Sequence, residues 1–123
     1  MQSNHNDTNT TIGILITQVR QFFKERDWEK DHNPKDLAES ICIEAAKLLQ
    51  LFQWIEPEES EQLKNNSPKI RRIKEELADV IIYSLSMADT LNIDMTGAVL
   101  NKLAENRKKY PCDCYKGKAH LDS

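Results

Sequence analysis

The sequence predicts an all-α protein, a four-helix bundle-like protomer that assembles into an oligomer. Turn-forming residues are scarce, with only 3 Gly and 4 Pro among 123 residues. Long stretches consist of helix-forming residues, and none shows the period of two that marks a strand. One segment, residues 68–92, is apolar around much of its circumference. In a chain this short, such a helix calls for cover from a partner subunit.

Four helices are predicted, most of them from their starting signals. Thr10 or Thr11 can cap an apolar repeat at helical spacing, and Asn33 stands before Pro34, which suits the first position of a helix. The cap-plus-proline signature recurs at residues 65–68, while the fourth helix is marked by its apolar repeat. The predicted helices are residues 11–26, 34–54, 68–92 and 95–109.

These helices make a single domain, residues 11–111, which fits the usual size of one domain. The polar residues 1–10 are predicted to form a disordered tail. Residues 112–123 are predicted to form a polar C-terminal tail, and residues 55–67 a connector with room for a helical turn.

Composition argues against two classes of partner. The net charge is −3 and the cations are scattered, whereas duplex binding needs clustered cations, so no nucleic-acid partner is expected. No apolar run approaches the roughly 20 residues of a bilayer span, so no membrane partner is expected either.

The three cysteines do not form a disulfide framework, and Cys112-x-Cys114 lacks the further ligands of a zinc site. A cytoplasmic location is therefore expected.

Two predicted helices direct carboxylates towards the interior. At about 100° per residue, Glu44 falls inside the edge of an apolar stripe, and Glu76 and Asp79 share a face one turn apart. Buried carboxylates need a raised pKa, a cationic partner or a metal ion. Three converging acids favour a hard cation such as Mg²⁺. A di-iron bundle would need Glu-x-x-His, but Lys47 and Asp79 stand three residues after the two glutamates.

Spacing alone leaves an ordinary alternative open. Glu44 could pair with Lys47, and Glu76 with Arg72 or Lys74, in partly exposed ion pairs of the kind common on helix surfaces.

Three ordered blocks of the sequence carry a family pattern over about residues 12–111. The blocks are 22-FFKERDWEKDHNPKDLAESICIEAAKLLQLFQW-54, 75-EELADVIIY-83 and 102-KLAENRKKYP-111. Together they resemble the MazG-like all-α nucleoside triphosphate pyrophosphohydrolases, in particular the dCTP pyrophosphatase type. The resemblance implies a helical protomer that forms a homodimer or homotetramer, binds Mg²⁺ and cleaves a nucleoside triphosphate between the α and β phosphates. The products would be the monophosphate and pyrophosphate.

The resemblance also assigns the metal ligands. The family pattern, Glu-x-x-Glu followed by Glu-x-x-Asp, maps onto Glu44, Glu76 and Asp79, while Lys47 occupies the position of the second Glu. A lysine there replaces a metal-binding oxygen with a donor-only ammonium. Three acids can still hold Mg²⁺, which needs only one or two carboxylates beside phosphate and water. Glu44 is the surviving candidate to orient the attacking water. Lys47 leaves open the alternative of a catalytically impaired nucleotide-binding homologue.

Substrate contacts follow from the same resemblance. Trp28 and Trp54 match pocket aromatics that enclose the base, a role that suits flat π faces. His32 either lines the pocket or holds the turn. Tyr83 either contacts sugar or base or makes an ordinary hydrogen bond between helices.

Three polar residues share one face of the fourth helix, at spacings of four and three: Lys102, Asn106 and Lys109. Family context assigns them to the triphosphate, with Lys102 also supplying positive charge for catalysis. A solvated basic stripe near a helix C-terminus is the ordinary alternative.

Overall fold

The computed structural model describes residues 4–65 and 67–118, and all regular secondary structure within them is helical. This confirms the predicted all-α class. The α-helices are α1 Ile12–Glu25, α2 Pro34–Gln50, α3 Pro57–Ser60, α4 Ser67–Thr90, α5 Met95–Lys109 and α6 Cys112–Tyr115. Short 3₁₀ helices lie at Glu29–Asp31 and Leu63–Asn65. The chain divides into two compact units, Met1–Asn92 and Ile93–Ser123.

Helix α1 begins and ends where its sequence dictates. The Thr11 side chain caps it by accepting a hydrogen bond from the backbone N–H of the third helical residue. At the other end Asp27 adopts a left-handed φ of 56°. The backbone N–H of Trp28 then donates to the carbonyl of Phe23 at 3.0 Å, as in a Schellman motif. This closure folds Trp28 back against the last turn of α1.

Helix α2 starts as predicted but ends earlier. Asn33 accepts a hydrogen bond from the backbone N–H three residues on, and Pro34 takes the first helical position. The helix ends at Gln50 rather than at Trp54. Beyond Gln50 the backbone tightens into i to i+3 hydrogen bonds, such as that from the N–H of Phe52 at 2.9 Å, a common way for a last turn to satisfy its carbonyls. Trp54 therefore lies in a turn.

Helix α4 is the central element of the first unit. It packs along α2 and, over a shorter length, against α1. Of residues 65–68, which carry the predicted cap-plus-proline signature, Asn66 lies outside the described residues. The helix ends at Thr90, and Asn92 follows with a left-handed φ of 54°, which stops the helix where the sequence predicted. Among the residues that the structure describes, the buried apolar side chains are Phe23, Leu37, Leu63, Leu85 and Ala88.

An exposed ion pair also links α1 to α4. Two guanidinium nitrogens of Arg20 donate to the two carboxylate oxygens of Asp89, at 2.6 and 3.0 Å. The hydrogen bond from Arg20, reinforced by its charge, lowers the pKa of Asp89 below its ordinary value.

The second unit contains α5 and α6. The Asp94 side chain caps α5 by accepting a hydrogen bond from the backbone N–H of Gly97 at 3.0 Å. A Cβ at Gly97 would lie 2.6 Å from Asp94 Oδ2, so a larger residue there would displace the capping carboxylate. Helix α5 has the predicted bounds, and α6 falls in the segment predicted to be a polar tail.

The predicted tails are only partly described. Residues 1–3 and 119–123 lie outside the described residues. Residues 7–9 form a turn in which the side chain of Asn6 accepts hydrogen bonds from the backbone N–H groups of Thr8 and Asn9. The disorder of the N-terminal tail stays a prediction. Cys42, Cys112 and Cys114 are all free and exposed. Among the helices of the described segments, none has the length and hydropathy of a membrane span.

Candidate functional site

Three carboxylates from two helices converge in the first unit. Glu44 comes from α2, and Glu76 and Asp79 come from successive turns of α4. One carboxylate oxygen of each residue lies within 4.8 Å of one oxygen of each of the other two. Glu44 is 9% exposed, and Glu76 and Asp79 are half-buried. We call these residues the acid cluster.

The acid cluster fits a divalent cation. Glu44 Oε2 and Glu76 Oε2 are both buried and have no hydrogen-bond partner in the described structure. A buried carboxylate oxygen without a partner is costly, and a metal ion is one of the few groups that satisfies it. The ligand set is entirely oxygen, which suits a hard cation rather than a soft one.

Lys47 lies at the edge of the acid cluster. Its Nζ donates to Glu44 Oε1 at 3.2 Å, while half of the lysine side chain stays exposed. This hydrogen bond, with the charges of Glu44, Glu76 and Asp79, raises the pKa of the Lys47 ammonium above its ordinary value. Lys47 engages one oxygen of Glu44 and leaves the other without a partner. The ion pair and a metal site are therefore compatible.

The other ion pairs considered from spacing do not form. Within residues 4–65 and 67–118, no salt bridge joins Glu76 to Arg72 or to Lys74. Of the ion pairs that helical spacing allowed for Glu44 and Glu76, the described residues form the one between Glu44 and Lys47.

An aromatic pocket of about 400 Å³ lies between α1 and α4 and reaches the acid cluster at Asp79. Phe23, which is buried, stacks on Tyr83 with ring centroids 6.1 Å apart, and its ring meets His32 edge-on at 4.4 Å. His32 Nδ1 is buried and has no hydrogen-bond partner in the described structure. The pocket is lined by Gln18, Val19, Phe22, Phe23, Trp28, Asp79, Ile82 and Tyr83.

The structure brings three of the four predicted base and sugar contacts together. Trp28 and Tyr83 line the aromatic pocket, and His32 packs behind it. Trp54 is 88% exposed in the turn after α2, and it is not a wall of this pocket. Its contact with a base stays a prediction. Sequence reasoning missed Phe22 and Phe23 as pocket walls, because their spacing marked them only as apolar residues of α1.

A second pocket, of about 460 Å³, lies on the α2 side of α4. We call it the cationic pocket. Lys47, Lys69 and Arg72 contribute three positive charges to its lining, and Glu76 of the acid cluster contributes one negative charge. The remaining lining residues are Gln50, Leu51, Leu63 and Ile73. Sequence reasoning missed this role for Lys69 and Arg72. Their spacing, seven and four residues before Glu76, was the available signal.

The predicted triphosphate contacts of α5 belong to the second unit. Lys102 Nζ lies 3.6 Å from Glu105 Oε2, and Lys109 Nζ lies 5.2 Å from the centre of the Tyr110 ring. The backbone carbonyl of Asn106 accepts a hydrogen bond from the N–H of Tyr110. All three predicted residues lie on α5. Their meeting with a triphosphate stays a prediction.

The fold and site together define a class of protein, an all-α chain with a candidate divalent-metal site between two helices. A family model described as MazG-like matches residues 39–119. The chain belongs to the MazG-like family.

Two named relatives are similar in sequence over most of this chain. The chain is 38% identical over 100 residues to dCTP pyrophosphatase 1 of Bos taurus, covering 80% of this chain and 59% of the relative. It is 40% identical over 93 residues to dCTP pyrophosphatase 1 of Homo sapiens, covering 74% of this chain and 54% of the relative. The chain thus spans less than two thirds of the length of these relatives.

A solved structure matches over almost its full length. A pyrophosphatase from Archaeoglobus fulgidus DSM 4304 shares 38% sequence identity and a TM-score of 0.72 with this chain. The match covers 90% of this chain and 98% of the other.

Proposed function

We propose that this chain is a Mg²⁺-dependent nucleoside triphosphate pyrophosphohydrolase that converts dCTP or a related deoxynucleotide to the monophosphate and pyrophosphate. Such an enzyme would clear unwanted nucleotides from the cytoplasmic pool. The observation that carries the proposal is the acid cluster, with its two unpartnered buried oxygens, beside an aromatic pocket. The activity named for the relatives supports it.

Glu44, Glu76 and Asp79 would hold the metal ion. A bound Mg²⁺ would polarise the α phosphate and offset the charge that develops on the phosphate oxygens. Because Glu44 and Glu76 approach from different helices, the packing of α2 on α4 sets the separation of their oxygens. The fold therefore preorganises the ligands before the substrate arrives.

The aromatic pocket would take the base. Phe23 and Tyr83 stack on one another, and Trp28 is held beside them by the closure of α1. Aromatic faces stack on any nucleobase, so this pocket supplies affinity, while polar groups at its edge would select the base. Gln18 and Asp79 are polar groups in its lining, whereas His32, with its buried and unpartnered Nδ1, packs behind the wall against Phe23.

In the reaction, the oxygen of a water molecule forms a bond to the α phosphorus. The bond from that phosphorus to the bridging oxygen breaks, and its electron pair leaves with pyrophosphate. Glu44 would orient the water and accept its proton, since a general base must lie within hydrogen-bonding reach of the proton it removes. Lys102, Asn106 and Lys109 would add contacts to the triphosphate.

Pyrophosphate release from dCTP with Mg²⁺ tests the function directly. The expected result is turnover that requires the divalent ion and disappears in excess chelator. Glu39→Gln is a suitable control, because Glu39 is an exposed acid on the same helix as Glu44. Absence of pyrophosphate release with dCTP and a panel of other triphosphates would overturn the proposal.

The second candidate function is nucleotide binding without turnover. The contact of Lys47 with Glu44 at 3.2 Å favours it, because the ammonium neutralises the residue proposed to handle the water. Comparing the unaltered chain with Lys47→Glu separates the two functions. Robust activity of the unaltered chain would eliminate the binding-only function. Activity that arises only in Lys47→Glu would identify the lysine as the block.

We also propose a homo-oligomer, a dimer or a tetramer. Leu77 and Ile81 lie one turn apart on α4 and are 48% and 46% exposed, although both are large apolar side chains. Exposed apolar residues that follow one helix face favour a protein partner. Light scattering coupled to size-exclusion chromatography should give a dimer or larger mass. A monomer at micromolar concentration would reject this assembly.

A further inference from the structure

We propose that the cationic pocket is the subsite for the β and γ phosphates, so that it holds the leaving pyrophosphate. The inference deepens the proposed function and depends on it. It adds Lys69 and Arg72 to the residues that bind the substrate. It also gives Lys47 a positive role, as the cation that joins the acid cluster to this subsite.

The order of groups along α4 supports the proposal. The helix presents Lys69 and Arg72 first, then Glu76 and Asp79, then Tyr83. At about 1.5 Å per residue, Arg72 lies about 10 Å before Asp79 along the helix axis, and Tyr83 lies about 6 Å after it. The sequence of side chains is therefore cation, acid, aromatic. A nucleoside triphosphate bound at a metal through its α phosphate has the matching order of terminal phosphates, α phosphate and base.

Each of the two pockets is lined by one acid of the acid cluster that α4 supplies. Glu76 lines the cationic pocket, whereas Asp79, one turn later, lines the aromatic pocket. A ligand with its base among the aromatic rings must pass the acid cluster to reach the cationic pocket. Cleavage between the α and β phosphates would then leave the monophosphate on the aromatic side and pyrophosphate on the cationic side.

The charge and form of the cationic pocket suit a polyanion. Three cations face one acid in a volume of about 460 Å³. In the described ranges, no salt bridge uses Arg72. Leu51, Leu63 and Ile73 form apolar parts of the wall beside these cations. The planar guanidinium of Arg72 can bind phosphate through two parallel hydrogen bonds.

Lys47 connects the two sites. Its ammonium donates to Glu44 Oε1 and also lines the cationic pocket. At the junction it would face the bridging oxygen, where negative charge accumulates as the bond to the α phosphorus breaks. A fixed cation at that place stabilises the transition state more than the ground state. This explains how a lysine at an acid position of the family pattern can serve the reaction.

Calorimetric titration with inorganic pyrophosphate in excess chelator tests the subsite without metal and without turnover. The expected Kd rises about tenfold in Arg72→Ala and in Lys69→Ala, because each change removes a charge-assisted contact to phosphate. Arg71→Ala is the matched control, since Arg71 is the exposed neighbour of Arg72 on α4 and lines neither pocket. Arg72→Lys should restore part of the affinity. Melting curves verify that each variant is folded.

Two results would overturn the subsite. One is that the unaltered chain does not bind pyrophosphate, and the other is that the folded Arg72→Ala and Arg71→Ala variants bind it equally well. Failure of the subsite differs from failure of the function. If dCTP is hydrolysed but the Kd for pyrophosphate is unchanged in Arg72→Ala, the subsite is wrong and the function stands. If dCTP is not hydrolysed while pyrophosphate binds through Arg72, the subsite stands and the function is wrong.

Discussion

The aromatic pocket and the cationic pocket follow one another along α4, and they differ in the charge and chemistry of their walls. The aromatic pocket is bounded by rings from α1 and its closing turn, and its acid is Asp79. The cationic pocket is bounded by α2, α4 and the connector between them, and its acid is Glu76. One helix thus supplies each pocket with one member of the acid cluster. The comparison shows that two acids one turn apart on a single helix can each line a different pocket, one aromatic and one cationic.

The largest expected effect comes from the acid cluster, which would hold the metal ion. Glu76→Gln should reduce dCTP turnover about 100-fold or more, because it removes a charged ligand and leaves the shape unchanged. Glu75→Gln, at the exposed neighbouring position, should retain activity. Electron paramagnetic resonance of bound Mn²⁺ provides a readout that does not depend on turnover. Similar Mn²⁺ binding by the two variants would contradict a metal role for Glu76.

A smaller effect is expected from the aromatic side. Trp28→Ala should raise the KM for dCTP about tenfold, which is the scale of one base–aromatic stack. Trp54→Ala is the sharpest comparison, since Trp54 is 88% exposed and Trp28 lines the pocket. Steady-state kinetics with dCTP measures both variants. A larger effect for Trp54 would show that an assembly, rather than the single chain, completes the base site.

A several-fold effect on metal and pyrophosphate affinity is expected for Lys47, which contacts the acid cluster and lines the cationic pocket. Lys47→Gln should tighten Mn²⁺ binding without nucleotide about fivefold, since one positive charge beside the acid cluster is removed. The same variant should weaken pyrophosphate binding in chelator. Lys35→Gln, an exposed change on the same helix, is the control. If Lys47→Gln alters neither affinity, the lysine does not link the acid cluster to the cationic pocket.

The smallest expected effect is on thermal stability. It comes from the ion pair between Arg20 and Asp89, which joins α1 to α4, the two helices that line the aromatic pocket. Because the folded pKa of Asp89 is lowered, the pair contributes stability above the ordinary carboxyl pKa. That stability is lost as pH falls through the lowered value. Asp89→Asn should therefore reduce Tm by a few degrees at pH 7 and by less in acid. Thermal melts across pH, with Glu39→Gln as control, measure the difference. A Tm difference independent of pH would exclude the ion pair as its cause.

Much of the candidate site followed from helical arithmetic. Glu76 and Asp79 belong to one helix, so a rise of 1.5 Å and a turn of about 100° per residue place them on one face before any packing is known. Glu44 was placed by its position at the edge of an apolar stripe. The cationic pocket could not be predicted in this way, because Lys69 and Arg72 are exposed residues and the pocket beside them also needs Leu63 of the connector.

The sequence by itself determined the all-α class, the caps at Thr11 and Asn33, and the break at Asn92, since these depend on local backbone and side-chain geometry. Tertiary structure decided which acids meet, that Phe23 stacks on Tyr83 while Trp54 stays exposed, and that Lys47 touches both the acid cluster and the cationic pocket. The physical reason is range. Caps and periodicity act within one or two turns, whereas a cavity or a cluster depends on how distant helices pack.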